Sequence, residues 1–186
     1  NESNNTVKFL FKTNTNDYIE SVSMIEENRH TICISSQVGC SVDCDFCATG
    51  KMGFKKNLNV GEIIDQLLLI KNYVEAPITN IVFMGMGEPF LNYNNVITAA
   101  NLMNDKEGLN FSYHRITIST SGIAPKITQF INDKIKYNLA ISLNASDDKT
   151  RDKLIPINKK WPIKTLIKFT SKYNKLHKTG LTFEYV

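Results

Sequence analysis

The sequence lacks any apolar stretch long enough to cross a bilayer, because its longest run, GEIIDQLLLI, is interrupted by Asp65 and Gln66. A signal peptide is also missing, since the first residues, NESNNTVKF, are polar and contain no apolar core. We therefore expect no membrane partner and a cytoplasmic location, or an organellar one if a longer N-terminus carries a transit peptide. The chain has no initiator methionine and stops within the strand-like segment FEYV, so we expect a piece of a longer protein.

Cysteine is scarce: the chain has four, and all of them lie between positions 33 and 47. Without a signal peptide, structural disulfides are not expected. A structural zinc site usually takes two pairs of Cys or His, and His30, His114 and His177 do not lie at the spacing that such a site requires. Clustered thiols outside a secreted protein indicate metal or redox chemistry instead.

The order of the predicted elements indicates a parallel α/β fold in a single domain. Two opening strands come first, in VKFLFKT and DYIESVSMI. Further strands then alternate with helices, and their segments are HTICISS, ITNIVFMG, HRITISTSG, IKYNLAISLNAS and LTFEYV. The stretch KMGFKKNLN, after the cysteines, is predicted to be a polar loop. A doubly wound sheet and an incomplete barrel both fit this order, and periodicity alone does not choose between them.

Three of the cysteines form the pattern Cys40-x-x-x-Cys44-x-x-Cys47, directly after the first strand of the parallel set. Active sites gather at the carboxyl ends of the strands in such folds. Three thiolates suit a [4Fe-4S] cluster with one open iron, since most clusters use four cysteines. The pattern resembles the signature of the radical S-adenosylmethionine (SAM) superfamily, in which SAM chelates that iron and an electron from the cluster cleaves SAM to a radical.

Polar residues follow the next strands at the same end of the predicted sheet. In GMGEP, the glycines allow close approach of the backbone, and Glu88 can accept hydrogen bonds from a ligand ammonium. On its own this segment could be a plain strand-to-helix turn. Behind a radical SAM triplet it resembles the superfamily's motif for the SAM amino group. Ser119 and Ser142, which alone would be turn or cap residues, fall at the two following strand ends.

Longer segments make the resemblance closer, because they are similar to the RlmN/Cfr family of radical SAM methyltransferases of adenine in ribosomal RNA. These segments are CISSQVGCSVDCDFCATGKMGFKKNL, FMGMGEPFLNYNNV, RITISTSGIAPKI, LAISLNASDDKTRDKLIPINKKWPI and FEYV. The resemblance implies a partial (β/α)6 radical SAM barrel that stops after about the fifth strand. Residues 1–29 would form an N-terminal β extension, and residues 30–186 would form the barrel core.

The resemblance also implies the ligands of the cofactors. Cys40, Cys44 and Cys47 would hold the [4Fe-4S] cluster. The SAM site would comprise Gly87, Glu88, Ser119, Ser142, Leu143 and Asn144. At Asn144 the family usually has histidine, and asparagine can likewise donate and accept hydrogen bonds.

Two residues outside the cluster match catalytic positions of the family. Cys33 matches the cysteine that resolves a protein–RNA crosslink by forming a disulfide with a methyl-carrying cysteine. Glu20 aligns with the family's proposed proton acceptor. Without the resemblance, Cys33 would be a buried strand thiol and Glu20 a residue on a solvent-facing strand. The methyl-carrying cysteine is absent from the sequence, so we expect no methyl transfer from this chain alone.

The resemblance implies large-subunit ribosomal RNA as the partner, with tRNA as a further substrate, an electron donor such as flavodoxin, and a monomeric complete enzyme. Pro89 resembles the branch that modifies adenine C2, because the C8 branch tends to have alanine there. The net charge of +4 is compatible with RNA, and Lys51, Lys55, Lys56, Lys159 and Lys160 fit an RNA surface. The alternatives are C8 methylation, another radical SAM reaction, a non-catalytic Fe–S or RNA-binding fragment, and a zinc module.

Overall fold

The computed structural model describes residues 2–3, 5–176 and 180–185, so His177 and Val186 lie outside the described residues. The strands are β1 (Glu2–Ser3), β2 (Thr6–Lys12), β3 (Tyr18–Glu26), β4 (Arg29–Cys33), β5 (Gln37–Gly39), β6 (Phe54–Asn57), β7 (Asn80–Phe83), β8 (Ile116–Thr120), β9 (Asn138–Ser142) and β10 (Leu181–Glu184). The helices are α1 (Ala48–Lys51), α2 (Val60–Tyr73), α3 (Tyr93–Asn104), α4 (Ala124–Asn132), α5 (Asp148–Leu154) and α6 (Ile163–Leu176). Of these helices, none combines the length and apolarity that a membrane crossing needs.

The main sheet has eight strands in the order β1-β2-β3-β4-β7-β8-β9-β10. The first four strands pair antiparallel, and β4, β7, β8, β9 and β10 pair in parallel. Parallel neighbours need crossover connections, and the helices supply them. Strands β1 and β10 lie at the two edges, so the sheet is open and the described residues form no closed barrel.

The two faces of this sheet differ in chemistry. Ile32, Ile81, Ile118 and Leu139 belong to one buried cluster with residues of α2, α3, α4 and α6. Because side chains alternate along a strand, the neighbouring residues face the other side, which we call the inner face. By the strand register these inner-face residues are Cys33, Val82, Thr117, Ser119, Ala140, Ser142, Thr182 and Glu184.

The inner face borders pockets of about 320 and 400 Å³, whereas the helices pack against the opposite face. A doubly wound sheet would carry helices on both faces. The arrangement is therefore that of an incomplete (β/α) barrel with an antiparallel extension, which confirms the predicted fold class. The division into two units at residue 29 stays a prediction.

Helix α2 illustrates how the sequence specifies these elements. Asn59 Oδ1 accepts a hydrogen bond from Glu62 N at 2.9 Å, and Glu62 Oε2 accepts one from Asn59 N at 3.0 Å. This reciprocal capping box fixes the start of the helix. Ile63, Leu67 and Ile70 then recur at helical spacing and are fully buried against the sheet, so the helix covers the parallel strands.

The prediction of a polar loop over KMGFKKNLN is wrong, because Phe54–Asn57 form β6 and pair with β5. This two-stranded ribbon lacks the apolar alternation that signals a half-buried strand. It depends on Gly39, whose φ is +71° and where a Cβ would lie 1.7 Å from Gly53 O. Cys40 N also donates to Gly53 O at 3.1 Å. The ribbon therefore closes the base of the segment that carries the cysteine triplet.

Candidate active site

A pocket of about 320 Å³ opens at the carboxyl ends of the parallel strands. This volume is in the range of small-molecule sites. The pocket brings together most of the predicted site residues: Cys40, Cys44, Cys47, Gly87, Glu88, Ser119, Ser142 and Asn144. Leu143 contributes its backbone next to the pocket, and Cys33 and Glu20 lie outside its lining.

The cysteine loop, residues 40–47, follows β5 and ends where Cys47 caps the short helix α1. Cys47 N donates to Cys44 O at 3.1 Å, so the last two cysteines lie on one turn. Helix α1 packs directly on this loop, since a Cβ at Gly50 would lie 3.1 Å from Asp43 Cα. On the other side, Asp45 N donates to Leu154 O at 2.9 Å. The loop is therefore held between α1 and the end of α5.

The thiols of Cys40 and Cys44 are poor acids in this environment. Burial, with a smaller contribution from nearby acidic groups such as Glu88, raises the pKa of Cys40 to about 11 and that of Cys44 to about 12. Thiolates, and not thiols, bind metal, so loading the site must release protons.

The donor set fits an iron–sulfur cluster. No three His, Cys, Asp or Glu side chains in the described part of the chain converge on a point where they could hold one metal ion. Cys40, Cys44 and Cys47 instead surround a pocket, and thiolates are the preferred ligands of such clusters.

Glu88 is the most constrained acid of the pocket, with only 3% of its surface exposed. Its Oε2 accepts hydrogen bonds from Ser121 N and Ser121 Oγ, both at 2.7 Å, and its Oε1 accepts one from Phe90 N at 3.0 Å. Burial raises its pKa, although these donors act in the opposite direction. The Thr120 side chain also hydrogen-bonds this carboxylate and favours its ionised form. A carboxylate has about four acceptor positions, so the chain's own donors hold Glu88 in place.

Gly87 is required by the chain's own packing. Its φ is +97°, and a Cβ there would lie 2.5 Å from the Cβ of Gln37. Glu88 N donates to Gln37 Oε1 at 2.8 Å. The GMGEP turn therefore packs closely against β5. This packing fixes the position of Glu88 beside the pocket.

Glu184 links the strand ends, and sequence reasoning missed it. Its Oε2 accepts hydrogen bonds from Ser119 Oγ at 2.8 Å and from Ser142 Oγ at 3.0 Å. Its backbone oxygen accepts from Leu143 N at 3.0 Å and from Asn144 N at 3.2 Å. The sequence could have indicated Glu184 by its position, because it lies at the end of the last strand, as Ser119 and Ser142 do on the two preceding strands.

Asn144 sits in a left-handed backbone conformation, with φ of +55°, and its side chain is buried. Asparagine tolerates this region better than most residues because its short polar side chain can hydrogen-bond locally. The local backbone thus accounts for asparagine at this position.

Arg151, on α5, is a second residue that sequence reasoning missed. It is fully buried, and its guanidinium donates to Ser121 O, Ser142 O, Leu143 O and Asn158 Oδ1 at 2.7–2.9 Å. In the sequence it is one charge among several in SDDKTRDKL, and no local pattern marks it as buried.

Glu20 and Cys33 lie on adjacent strands, and their side chains are on the same face of the sheet. Val22 of β3 pairs with Cys33 of β4, and Glu20 is two residues before Val22. Glu20 Oε1 forms an ion pair with Lys8 Nζ at 2.8 Å, and both side chains are about half exposed. Burial, with a smaller contribution from the nearby Glu184 carboxylate, raises the pKa of Cys33 to about 11. All four cysteines lie among the described residues, and each is a free thiol, so a disulfide is not supported.

The lysines next to the cysteine loop are paired with acids. Lys51 lies 3.4 Å from Asp43, Lys55 lies 3.0 Å from Asp17, and Lys56 lies 2.6 Å from Glu62. Lys160 stacks on the Trp161 ring with 4.9 Å between the ammonium and the centroid. The positive surface beside the site is therefore weaker than a count of lysines suggests.

Comparison with known proteins agrees with this geometry. The Radical SAM superfamily profile matches residues 34–184. A protein of Fervidobacterium nodosum is 45% identical over 97% of this chain and 52% of its own length, and one of Dictyoglomus thermophilum is 46% identical over 98% and 53%. Both are named "Probable dual-specificity RNA methyltransferase RlmN". The chain thus spans about half the length of these curated relatives.

A solved structure shows the same fold. The crystal structure of a radical SAM methyltransferase from Sphaerobacter thermophilus superposes with a TM-score of 0.94 at 40% identity. The match covers 99% of this chain and 55% of that one. With the superfamily profile spanning most of its length, the chain belongs to the Radical SAM superfamily.

Proposed function

We propose that the chain is the catalytic core of a radical SAM RNA methyltransferase that modifies C2 of an adenine in 23S ribosomal RNA, with tRNA as a second substrate. The observation that carries this proposal is the pocket in which Cys40, Cys44 and Cys47 meet Glu88. It occurs in a chain that is 45% identical to a protein named as an RNA methyltransferase.

Membership of the superfamily implies a [4Fe-4S] cluster and SAM. Cys40, Cys44 and Cys47 would hold the cluster, which supplies the electron for reductive cleavage of SAM. Residues at the strand ends would bind SAM, namely Gly87, Glu88, Ser119, Ser142, Leu143 and Asn144. A flavodoxin-like protein would deliver the electron, and the complete enzyme would be a monomer.

The electrostatics of the pocket support a cationic ligand such as SAM, which carries a sulfonium and an ammonium group. Glu88 and Glu184 line the pocket, and no lysine or arginine is among its lining residues. None of the ion pairs among the described residues involves either glutamate. The negative charges of both carboxylates are thus not neutralised by an ion pair among these residues, which favours a cationic ligand in the pocket.

Cys33 and Glu20 would act after the methyl group has reached the RNA. Glu20 would take the proton from the modified ring carbon, and Cys33 would release the RNA by forming a disulfide with a methyl-carrying cysteine from sequence outside this chain. Their placement on adjacent strands of the inner face supports a shared role. The ion pair with Lys8 orients the Glu20 carboxylate.

Electron paramagnetic resonance of the anaerobically reconstituted, reduced protein tests the cofactor assignment. We expect a [4Fe-4S]+ signal that changes when SAM is added. A signal that ignores SAM would favour a non-catalytic iron–sulfur protein, and zinc in place of iron would refute the assignment.

The regiochemistry is tested with the complete protein from the gene, incubated with ribosomal RNA, SAM and reductant. Mass spectrometry of the digested RNA should show 2-methyladenosine. A product methylated at C8 would show that Pro89, buried directly after Glu88, does not mark the C2 reaction. The isolated chain should yield neither product.

A further inference from the structure

We propose that Arg151 is a positioning residue of the cofactor site. Its hydrogen bonds would hold the strand ends that bind SAM, and its positive charge would act as a counter-charge to the cluster bound by the cysteines. This inference rests on the proposed function above.

The first observation is the set of hydrogen bonds that Arg151 makes. Its Nη2 donates to Ser121 O at 2.7 Å and to Ser142 O at 2.8 Å, and its Nε donates to Leu143 O at 2.9 Å. With the bond from Nη1 to Asn158 Oδ1 at 2.8 Å, four of the five N–H groups of a guanidinium are used. One side chain thus ties the turn after β8 to the end of β9.

These partners are the segments that carry the proposed SAM contacts. Ser121 holds both a backbone and a side-chain hydrogen bond to Glu88, and Ser142 belongs to the proposed SAM site. Moving the Ser121 carbonyl would therefore move the group that holds Glu88. A lysine could not reproduce this planar arrangement, because its ammonium is a point donor on a flexible stem.

The second observation is that the charge of Arg151 is not matched by an acid in contact. All four acceptors are neutral, and no ion pair among the described residues involves Arg151. Among the lysines and arginines whose side chains the structure describes, it is the only buried one. Burying an unmatched charge is costly, so a counter-charge nearby is expected.

Acidic side chains and the cysteine loop lie on two sides of Arg151. Asp148 and Asp152 lie near it on its own helix, and the cysteine loop is attached to the end of that helix by the hydrogen bond from Asp45 N to Leu154 O. Asn158 Nδ2 donates to both aspartates, at 3.0 and 2.7 Å, which joins these acids to the same hydrogen-bond network on the solvent side. Three cysteine thiolates around a cluster would place a second counter-charge on the pocket side.

Helix α5 also contacts the ligand loop directly. Leu154 O accepts the hydrogen bond from Asp45 N, and Ile155 packs with Cys40 and Val42. Helix α5 and the residue after it therefore contact both the cysteine loop and, through Arg151, the strand ends of the proposed SAM site. Since hydrogen bonds and net charge near a cluster set its reduction potential, loss of this cation should make the cluster harder to reduce.

The test compares Arg151→Met, which removes the charge, with Arg151→Lys, which keeps it, in the reconstituted protein. The control is Lys153→Met, which removes an exposed cation from the same helix. The readouts are the midpoint potential of the cluster, the Kd for SAM, and the Tm of the cluster-free protein.

We expect a more negative potential for Arg151→Met alone. Both Arg151 variants should bind SAM about tenfold more weakly, because hydrogen bonds that fix the strand ends are lost. Lys153→Met should match the wild type, since an exposed charge is screened.

The inference is overturned if Arg151→Met keeps the wild-type potential, or if Arg151→Lys shifts the potential as much as Arg151→Met does. It is also overturned if Arg151→Lys binds SAM with the wild-type Kd. This second test does not need Arg151→Met, so it remains decisive if that variant fails to fold. A fall in Tm alone would show a structural role only. Failure of the proposed function is a separate outcome, because the wild-type cluster would then be absent or indifferent to SAM.

Discussion

The hydroxyl of Ser121 offers a small and specific perturbation of the pocket. In the change Ser121→Ala, Glu88 loses the hydrogen bond from Ser121 Oγ at 2.7 Å, whereas the bonds from Ser121 N and Phe90 N remain. The backbone carbonyl of Ser121 also stays available to Arg151. Only one donor to a buried carboxylate is removed.

The size of the effect follows from this geometry. A hydrogen bond to a charged group contributes about 1.5–3 kcal/mol to stability. We expect Ser121→Ala to lower the free energy of unfolding by about 2 kcal/mol where Glu88 is ionised. For a domain of this length, that corresponds to a fall in Tm of about 4–8 °C.

The effect should depend on pH in a defined direction. Burial raises the pKa of Glu88 above its ordinary value of 4.5. The protonated form of Glu88 therefore stabilises the folded protein fully below pH 4.5, and this stability is lost as the pH rises through the pKa of the folded state. The Ser121 hydroxyl favours the ionised form. The difference in unfolding free energy between wild type and variant should therefore grow as pH rises.

Chemical denaturation of the cluster-free protein at several pH values measures this difference. The matched control is Ser36→Ala, another buried serine, whose hydroxyl makes only a 3.4 Å hydrogen bond to the neutral Met86 O. The control should lose less than about 1 kcal/mol at every pH. Equal losses in the two variants, or a loss for Ser121→Ala that does not change with pH, would refute the reasoning.

Three further predictions concern the glycines and the thiols. Gly87→Ala should be at least about 1 kcal/mol more destabilising than Gly53→Ala in denaturant titrations, because both have positive φ but only Gly87 has a neighbour within 2.5 Å of the new Cβ. Equal losses would contradict this explanation. Iron loading of the cluster-free protein, followed by absorbance, should become more complete from pH 7 to 9, since the pKa values of Cys40 and Cys44 are about 11 and 12 and their protons must leave. Loading that is independent of pH would exclude this linkage. Alkylation of Cys33, monitored by mass spectrometry, should be roughly a hundredfold slower at neutral pH than that of a thiol with the ordinary pKa of 9.0, because its own pKa is about 11. A rate typical of an ordinary thiol would contradict the raised pKa of Cys33.

Much of the fold could be predicted because its signals are local. The apolar residues of α2 recur at helical spacing, and the parallel strands are short apolar runs separated by helices. The ribbon of β5 and β6 was missed because its pairing depends on glycine geometry at Gly39 and not on an apolar pattern. To choose between a doubly wound sheet and a barrel, one must know whether helices cover one face of the sheet or both. That depends on long-range packing, which local sequence patterns do not show.

The site was predictable to a similar extent. The cysteine spacing and the polar residues at strand ends are visible in the sequence, so most of the pocket could be named. Glu184 and Arg151 could not, because their contacts reach Ser119 and Ser121, far away along the chain. A buried arginine and an exposed one look the same in a single sequence when both lie among charged neighbours.

The ribbon of β5 and β6 has a consequence for the order of folding. It closes the cysteine loop through contacts between residues close in sequence, such as Gly39 and Phe54. The parallel strands instead pair residues as distant as Thr31 and Asn80, with a higher entropic cost of closure. Since local contacts form fastest, the thiol loop should acquire its shape early, and the strand ends that complete the pocket should join it late. Nascent chains would then present three closely spaced thiols before the wall that shields them is in place, so the period just after synthesis is when the site is most open to oxidation or to the wrong metal.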